Sequence, residues 1–228
     1  DPGAEIRMKR LFLLLSFFLL ASETGSAPPS QTPYARRAEV RAFIRELVER
    51  HGLVERELAF LFARARREPA ILAAVAPPKD PGARSWQAYR ARFVSDARIA
   101  EGGEFWRRHA AQLARAAEEH GVPEEIIVAI LGVETAYGRQ MGGWRVIDAL
   151  STLAFDYAPR AEYFRGELEQ YLLFARDTGI DVFSVRGSYA GAIGIAQFMP
   201  GSYRRFAVDF DGDGAIDLRA SAADAIGS

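Results

Sequence analysis

Val122-Pro-Glu-Glu-Ile-Ile-Val-Ala-Ile-Leu-Gly-Val-Glu-Thr-Ala-Tyr-Gly138 reads as one helix whose apolar face is interrupted by a carboxylate. Pro123 suits the first helical position, Glu124 and Glu125 suit the first turn, where the helix dipole favours negative charge, and Gly138 suits the stop. Ile127, Ile130 and Leu131 stand seven, four and three residues before Glu134, which places its carboxyl on the apolar stripe. Burial among aliphatic carbons disfavours the ionised form, and so does the negative end of the dipole. The expected state of Glu134 near neutral pH is therefore a protonated acid, able to protonate a leaving group. The alternative from this helix alone is a Glu that reaches the surface or pairs with Arg139 or Arg145.

Outward from this helix the pattern stays mostly helical. Segments near 37–52, 54–66, 70–76, 104–120, 123–137, 160–178 and 188–199 carry apolar residues at helical spacing, punctuated by Pro and Gly, so the fold class is mainly α. A length of 228 residues with 49% hydrophobic and 26% charged side chains is enough for one substantial core or two small ones. A formal net charge of −1 excludes a general nucleic-acid binder, which needs a basic excess. The densest basic run, Arg64, Arg66 and Arg67, closes a helical pattern before Pro69 and reads as a solvated helix face.

The amino end is read apart from the fold. Lys9 and Arg10 precede the apolar stretch Leu11–Ala21, and small and polar residues follow, the layout of an export signal at 8–26. Met8 is then the natural start and residues 1–7 an upstream remnant; an uncleaved anchor is the alternative. Residues 27–36 read as a Pro-rich linker. The sequence has no Cys, hence no disulfide framework and no thiol for a lipid tether, and the expected location is a periplasm or cell exterior. His51, His109 and His120 form no ligand spacing, so a zinc site is not expected.

Two further segments carry chemistry. Arg186-Gly-Ser-Tyr-Ala-Gly-Ala-Ile-Gly-Ile-Ala-Gln-Phe-Met-Pro200 mixes small residues, which allow close backbone approach, with hydroxyl, amide and aromatic groups. A sugar site needs flat apolar surfaces for ring faces and neutral hydrogen-bonding groups for hydroxyls and acetamides; tight helix packing is the other reading of the same small residues. In Asp209-Phe-Asp-Gly-Asp-Gly-Ala-Ile-Asp217, Asp stands at positions 1, 3, 5 and 9, Gly at 6 and a backbone carbonyl at Ala215, as in the first part of an EF-hand loop. Position 12 is Ala220 rather than Glu, which breaks the pattern and leaves Asp224 as the next carboxylate able to close a longer loop; a solvated acidic turn is the alternative.

Gly132-Val-Glu-Thr-Ala-Tyr-Gly-Arg139, Gly187–Pro200 and Val208–Gly214, in this order and spacing, resemble the B-type lytic murein transglycosylases. The resemblance runs strongly from about Trp86 to the last residue and weakly back to about Arg41. It implies a lysozyme-like transglycosylase domain over 37–228 with an EF-hand-like loop, acting on peptidoglycan glycan strands and not on nucleic acid. It implies Glu134 as sole acid/base and Ser188, Gln197 and Tyr89 as glycan-contacting residues. Tyr137 and Tyr189 are candidate groove walls, with core packing as the equal alternative, which holds for Tyr89 as well. A structural Ca²⁺ held by Asp209, Asp211, Asp213, Ala215, Asp217 and Asp224 is expected, with no cofactor in the chemistry; partners from cell-wall synthesis or division fit the same setting. Family members continue past the segment resembling Asp224–Ser228, so the chain is expected to lack further helices and groove residues.

Overall fold

The computed structural model describes residues 32–76 and 85–228, for Arg92 the backbone alone. The expected leader, the residues before it and the linker up to Gln31 lie outside the described residues. Where description begins, Tyr34–Arg36 forms a 3-10 turn whose Tyr34 ring is buried, so the last linker residues are tied into the core.

Helices α1 (Ala38–His51) and α2 (Glu55–Arg64) each present one apolar face: Val40, Phe43, Ile44 and Leu47 on the first, Leu58, Leu61 and Phe62 on the second. The spacing of three and four residues makes each a stripe that must be covered. Gly52, at φ +63°, ends α1 in the left-handed conformation that glycine takes without a Cβ penalty. Together with α3 (Pro69–Val75), these stripes pack on α8 (Val146–Asp156) and α9 (Ala161–Thr178). Phe43, Phe62 and Phe155 meet edge to face there, 5.8–6.2 Å between centroids.

A second cluster joins Phe105 of α5 (Asp96–Arg108), Leu113 and Ala116 of α6 (Ala110–His120), and Val128 and Leu131 of α7 (Glu124–Thr135). Ile195, Phe210 and Ile226 of the short α11 (Ala222–Gly227) complete it. Strands β1 (Trp144–Arg145) and β2 (Arg186–Gly187) form a two-stranded antiparallel ribbon, Trp144 opposite Gly187 and Arg145 opposite Arg186. The ribbon binds the chain after α7 to the start of the small-residue segment.

The structure departs from the periodicity in three places. The pattern at 104–120 is two helices broken at His109, whose N–H bonds the carbonyls of both Phe105 and Trp106. Helix α8 escapes the pattern because it is buried on every side from Val146 to Ala154, which erases a 3.6-residue period. Residues 188–199 are not helical: Ile193 bridges both Gly187 and Phe198, and Gly191, Gly194 and Gln197 all adopt positive φ, which a helix does not admit. Helix α4 (Trp86–Phe93), capped by the Ser85 hydroxyl, and α10 (Pro200–Phe206) complete the described helices.

Candidate active site

Helix α7 ends one turn earlier than its glycine suggests. Ala136 and Tyr137 take left-handed φ of +53° and +60°, ahead of Gly138 at +87°, and the N–H of Tyr137 bonds the Leu131 carbonyl. The packed face of α7 is Val128, Leu131, Gly132 and Thr135. Glu134 faces solvent, and of the stripe read from the sequence Ile130 does so too, at 52% exposed, beside Ile126 and Val133 at 46 and 45%, whereas Leu131 is buried and Ile127 packs against the second cluster. The apolar stripe read from the sequence is covered at Leu131 and Ile127 and open at Ile130, one turn before Glu134, so the burial expected for Glu134 is absent among the described residues. Neither expected ion-pair partner is free to take the carboxylate: Arg139 pairs with Glu101, and Arg145 grips both oxygens of Asp148 at 2.6 and 2.9 Å. Among the described residues Glu134 has no hydrogen bond or ion pair.

The segment after α7 lies directly on the small-residue loop. The Thr135 hydroxyl donates to the Ile195 carbonyl at 2.7 Å, and the Gln197 amide donates to the carbonyls of Gly194 at 2.9 Å and Met141 at 3.3 Å. Gly142 sits so close to Gly187 that a Cβ there would lie 2.1 Å from its carbonyl oxygen, a contact only glycine permits. The Ser188 hydroxyl accepts the Ala192 N–H at 3.0 Å, capping the turn that follows β2 rather than a helix. Glu134, Ser188 and Gln197 are thus carried on two segments in contact along 135–142 and 187–197.

The aromatic candidates separate. Tyr137 is half-buried: its ring stacks on Phe105 at 5.2 Å, and its phenol passes so near Gly102 and Gly132 that a Cβ at either would lie 2.5 Å from the oxygen. Desolvation pushes this phenol above its ordinary pKa. Its outer edge lines a cavity of about 230 Å³ with Glu101, Glu104, Phe105, Arg108, Ala136 and Arg139. Tyr189 is exposed. Tyr89 is 55% exposed and stacks on the still more exposed Trp86 at 5.9 Å, so the core reading of Tyr89 fails. A larger cavity, about 690 Å³, is lined by residues including Phe174, Asp177, Tyr203, Arg204 and Asp217; no expected glycan-contacting residue lines it.

The acidic loop gathers three of its six expected ligands. Carboxylate oxygens of Asp209, Asp211 and Asp213 lie within 4.8 Å of one another. Asp209 accepts the N–H groups of Gly214, Gly212 and Asp213 at 2.8, 2.7 and 3.1 Å, and these bonds, that from Gly214 foremost, hold its carboxyl below the ordinary range. Asp217 instead pairs with Arg219 at 3.0 Å. Asp224 is buried and fully engaged by the N–H groups of Phe210 and Asp217, both at 2.8 Å. Both are expected from the sequence as ligands of a metal; the structure uses Asp224 as a staple, because a buried carboxylate must be hydrogen-bonded. Arg115 lies over the Phe210 ring, 3.5 Å from its centroid, and fastens the loop to α6.

Residues that sequence reading missed are Thr135, hidden beside a more conspicuous Glu, and Trp86, which is unremarkable without its stacked neighbour. The Thr was findable: it falls four residues after Leu131, on the buried face of the same helix.

A helical frame with an exposed carboxylate at the end of α7, next to a threonine hydrogen-bonded to an amide- and hydroxyl-bearing loop, fits a lysozyme-like protein class. The chain belongs to the transglycosylase SLT domain family, whose pattern matches residues 35–228. It is 44% identical over 204 residues to membrane-bound lytic murein transglycosylase B of Escherichia coli K12, covering 86% of this chain and 56% of that one. The crystal structure of soluble lytic transglycosylase SltB1 from Pseudomonas aeruginosa superimposes with a TM-score of 0.79 at 51% identity, over 83% of this chain and 64% of that one. The Escherichia coli lytic transglycosylase Slt35 in complex with calcium superimposes at 0.77 and 43% identity, over 86% and 61%. The chain thus spans less than two thirds of the length of each of these relatives.

Proposed function

We propose that the chain cleaves peptidoglycan glycan strands as a lytic transglycosylase, with Glu134 as sole acid/base. The observation that carries this reading is Glu134 itself: an unpaired carboxylate at the end of α7, joined through the next residue to the loop of Ser188 and Gln197. Asp156, Glu169 and Asp148 are each paired with arginine, and Asp224 is held by backbone N–H groups. In the proposed reaction Glu134 protonates the oxygen between N-acetylmuramic acid and N-acetylglucosamine as that bond breaks. The muramyl acetamide stabilises the cationic carbon, so the second carboxylate of ordinary glycosidases is not needed. Glu134, now ionised, takes the proton of the sugar's own C6 hydroxyl as that oxygen closes on C1, giving a 1,6-anhydromuramyl end without water. A glycan or protein surface laid over Ile130 and Val133 would supply the apolar cover this acid lacks in the chain alone.

Ser188, Gln197, Tyr89, Tyr137 and Tyr189 are assigned to glycan contact, the exposed Tyr89 and Trp86 rings as a stacking surface for sugar faces. The acidic loop is assigned a structural Ca²⁺. Three clustered carboxylates are hard oxygen donors suited to it, and the likeness to the calcium complex supports the assignment. Ca²⁺ there would neutralise the acidic turn and enters no step of the sugar chemistry. The murein relatives and the export-type leader support a periplasmic location; no described helix is long and apolar enough to cross a membrane. The test is mass spectrometry of muropeptides released from peptidoglycan by the chain and by Glu134→Gln. Anhydromuropeptides from the parent alone are expected. Free reducing ends would mean hydrolysis, and equal products from both would remove Glu134 from the chemistry.

A further inference from the structure

Thr135 is buried, 1% exposed, and its hydroxyl both donates and accepts. Its one proton goes to the Ile195 carbonyl at 2.7 Å, and a lone pair accepts the Gly138 N–H at 2.9 Å. That single oxygen therefore ties three pieces together: the last turn of α7, the turn that ends it, and the loop strand leading to Gln197. Ile195 is also held from behind, its N–H donating to the Leu218 carbonyl at 2.7 Å, so the latch closes on an anchored strand.

The conformations around the latch need one. The described non-glycine residues with positive φ are Ala136, Tyr137 and Gln197, and all lie within two residues of Thr135 or Ile195. Left-handed backbone at residues with a Cβ is disfavoured and persists where surrounding contacts over-determine it. Here the contacts are the Thr135 bonds on one side and, on the other, the two bonds of the Gln197 amide to Gly194 and Met141. The strained residues follow Glu134 within three positions or are Gln197 itself, and Glu134 and Gln197 are both assigned to the sugar.

We infer that Thr135 is a positioning residue, whose hydroxyl fixes the Glu134 carboxylate relative to the Gln197 amide; this rests on the proposed reaction. Valine has the same shape without the hydroxyl, and leaves the Ile195 carbonyl and Gly138 N–H without that partner; serine keeps both bonds. Thr152 is the matched control: a buried threonine of α8, accepting the Glu68 N–H at 3.0 Å, with no hydrogen bond to either loop among the described residues.

The experiment measures melting, kcat and KM on peptidoglycan strands for Thr135→Val, Thr135→Ser and Thr152→Val, and the Gln197 side-chain amide resonance of each by NMR. Thr135→Val is expected to lower kcat by roughly 10- to 100-fold with KM within about threefold, the signature of misplaced catalytic geometry. Thr135→Ser restores kcat, while Thr152→Val lowers the melting temperature and leaves kcat alone. The Gln197 amide signal shifts in Thr135→Val and not in Thr152→Val. The inference is overturned if Thr135→Val behaves as Thr152→Val does, in kinetics or in the Gln197 signal. A parent that releases no product would sink the proposed reaction instead, and the Gln197 signal would then decide whether the latch holds the loop.

Discussion

Carboxylates in this fold are treated in two opposite ways. The Asp156 side chain, 8% exposed, is surrounded: Arg37 at 2.9 Å, Arg67 at 3.4 Å and the Tyr34 hydroxyl at 2.7 Å. Glu169 is likewise gripped by Arg50 through two bonds and by His51 at 2.7 Å. Glu134, at the end of α7, is exposed and held by nothing. The difference separates scaffold from reagent. A buried charge without partners is costly, so the scaffold acids are consumed by their arginines, whereas an acid that must take and return a proton has to be left available.

Exchanging the two kinds of site gives the sharpest break. Glu134→Gln keeps shape and hydrogen-bonding capacity while removing the titrating group, and turnover is expected to fall by about 10²–10⁴-fold with melting unchanged. Asp156→Ala should do the reverse. It removes the carboxylate that Arg37, Arg67 and the Tyr34 hydroxyl share, and denaturant unfolding is expected to register a loss of about 3–5 kcal/mol with kcat of the folded fraction intact. Lost stability in the first variant, or lost kcat in the second, would erase the distinction.

The scaffold side can also be probed with base. Burial pushes the phenols of Tyr34 and Tyr171 far above their ordinary range, with the Asp156 and Asp181 charges adding to it. A phenol that holds its proton more tightly when folded contributes in full below the unfolded pKa of about 10, and loses that contribution as pH rises past it. Stability should fall by about 1.4 kcal/mol per Tyr for each pH unit above 10, and phenolate absorbance of these two residues should appear only with unfolding. Phenolate formation in the folded chain, at the pH where free tyrosine titrates, would contradict the burial.

How much of this was legible in advance follows from the same contrast. The α1 and α2 stripes were plain because each helix is wet on one side and dry on the other, which is what periodicity records. Helix α8 was invisible for lack of a wet side, and the segment 188–199 read as helical because its apolar residues fall at helical spacing, while the positive φ of Gly191, Gly194 and Gln197 cannot be seen in letters. Glu134 was found for a reason only half right. The stripe beneath it is real and its Leu131 is buried, yet Ile130 and Glu134 stay exposed, since amphipathic spacing says that a face is apolar and not how far its cover extends. In the acidic loop, position in the sequence suggested six ligands; tertiary contacts gave Asp217 to Arg219 and Asp224 to the backbone.

That loop supplies the smallest test, because its acids stand between the two kinds. Asp209, Asp211 and Asp213 have no arginine, as Glu134 has none, yet backbone N–H groups already hold Asp209 in place. A cation is then a supplement to an organised turn, not its cause. Raising Ca²⁺ to ten times its dissociation constant should add about 1.4 kcal/mol, read as a rise in melting temperature that a chelator removes. Mg²⁺, which demands tighter octahedral geometry, should add less. Asp213→Asn keeps an oxygen for the Ala215 N–H and removes one charge, so it should abolish the calcium increment while leaving calcium-free melting near that of the parent. A parent whose melting ignores Ca²⁺ would put these acids with Asp224, as groups spent on their own backbone, and leave Glu134 as the carboxylate whose freedom has a chemical use.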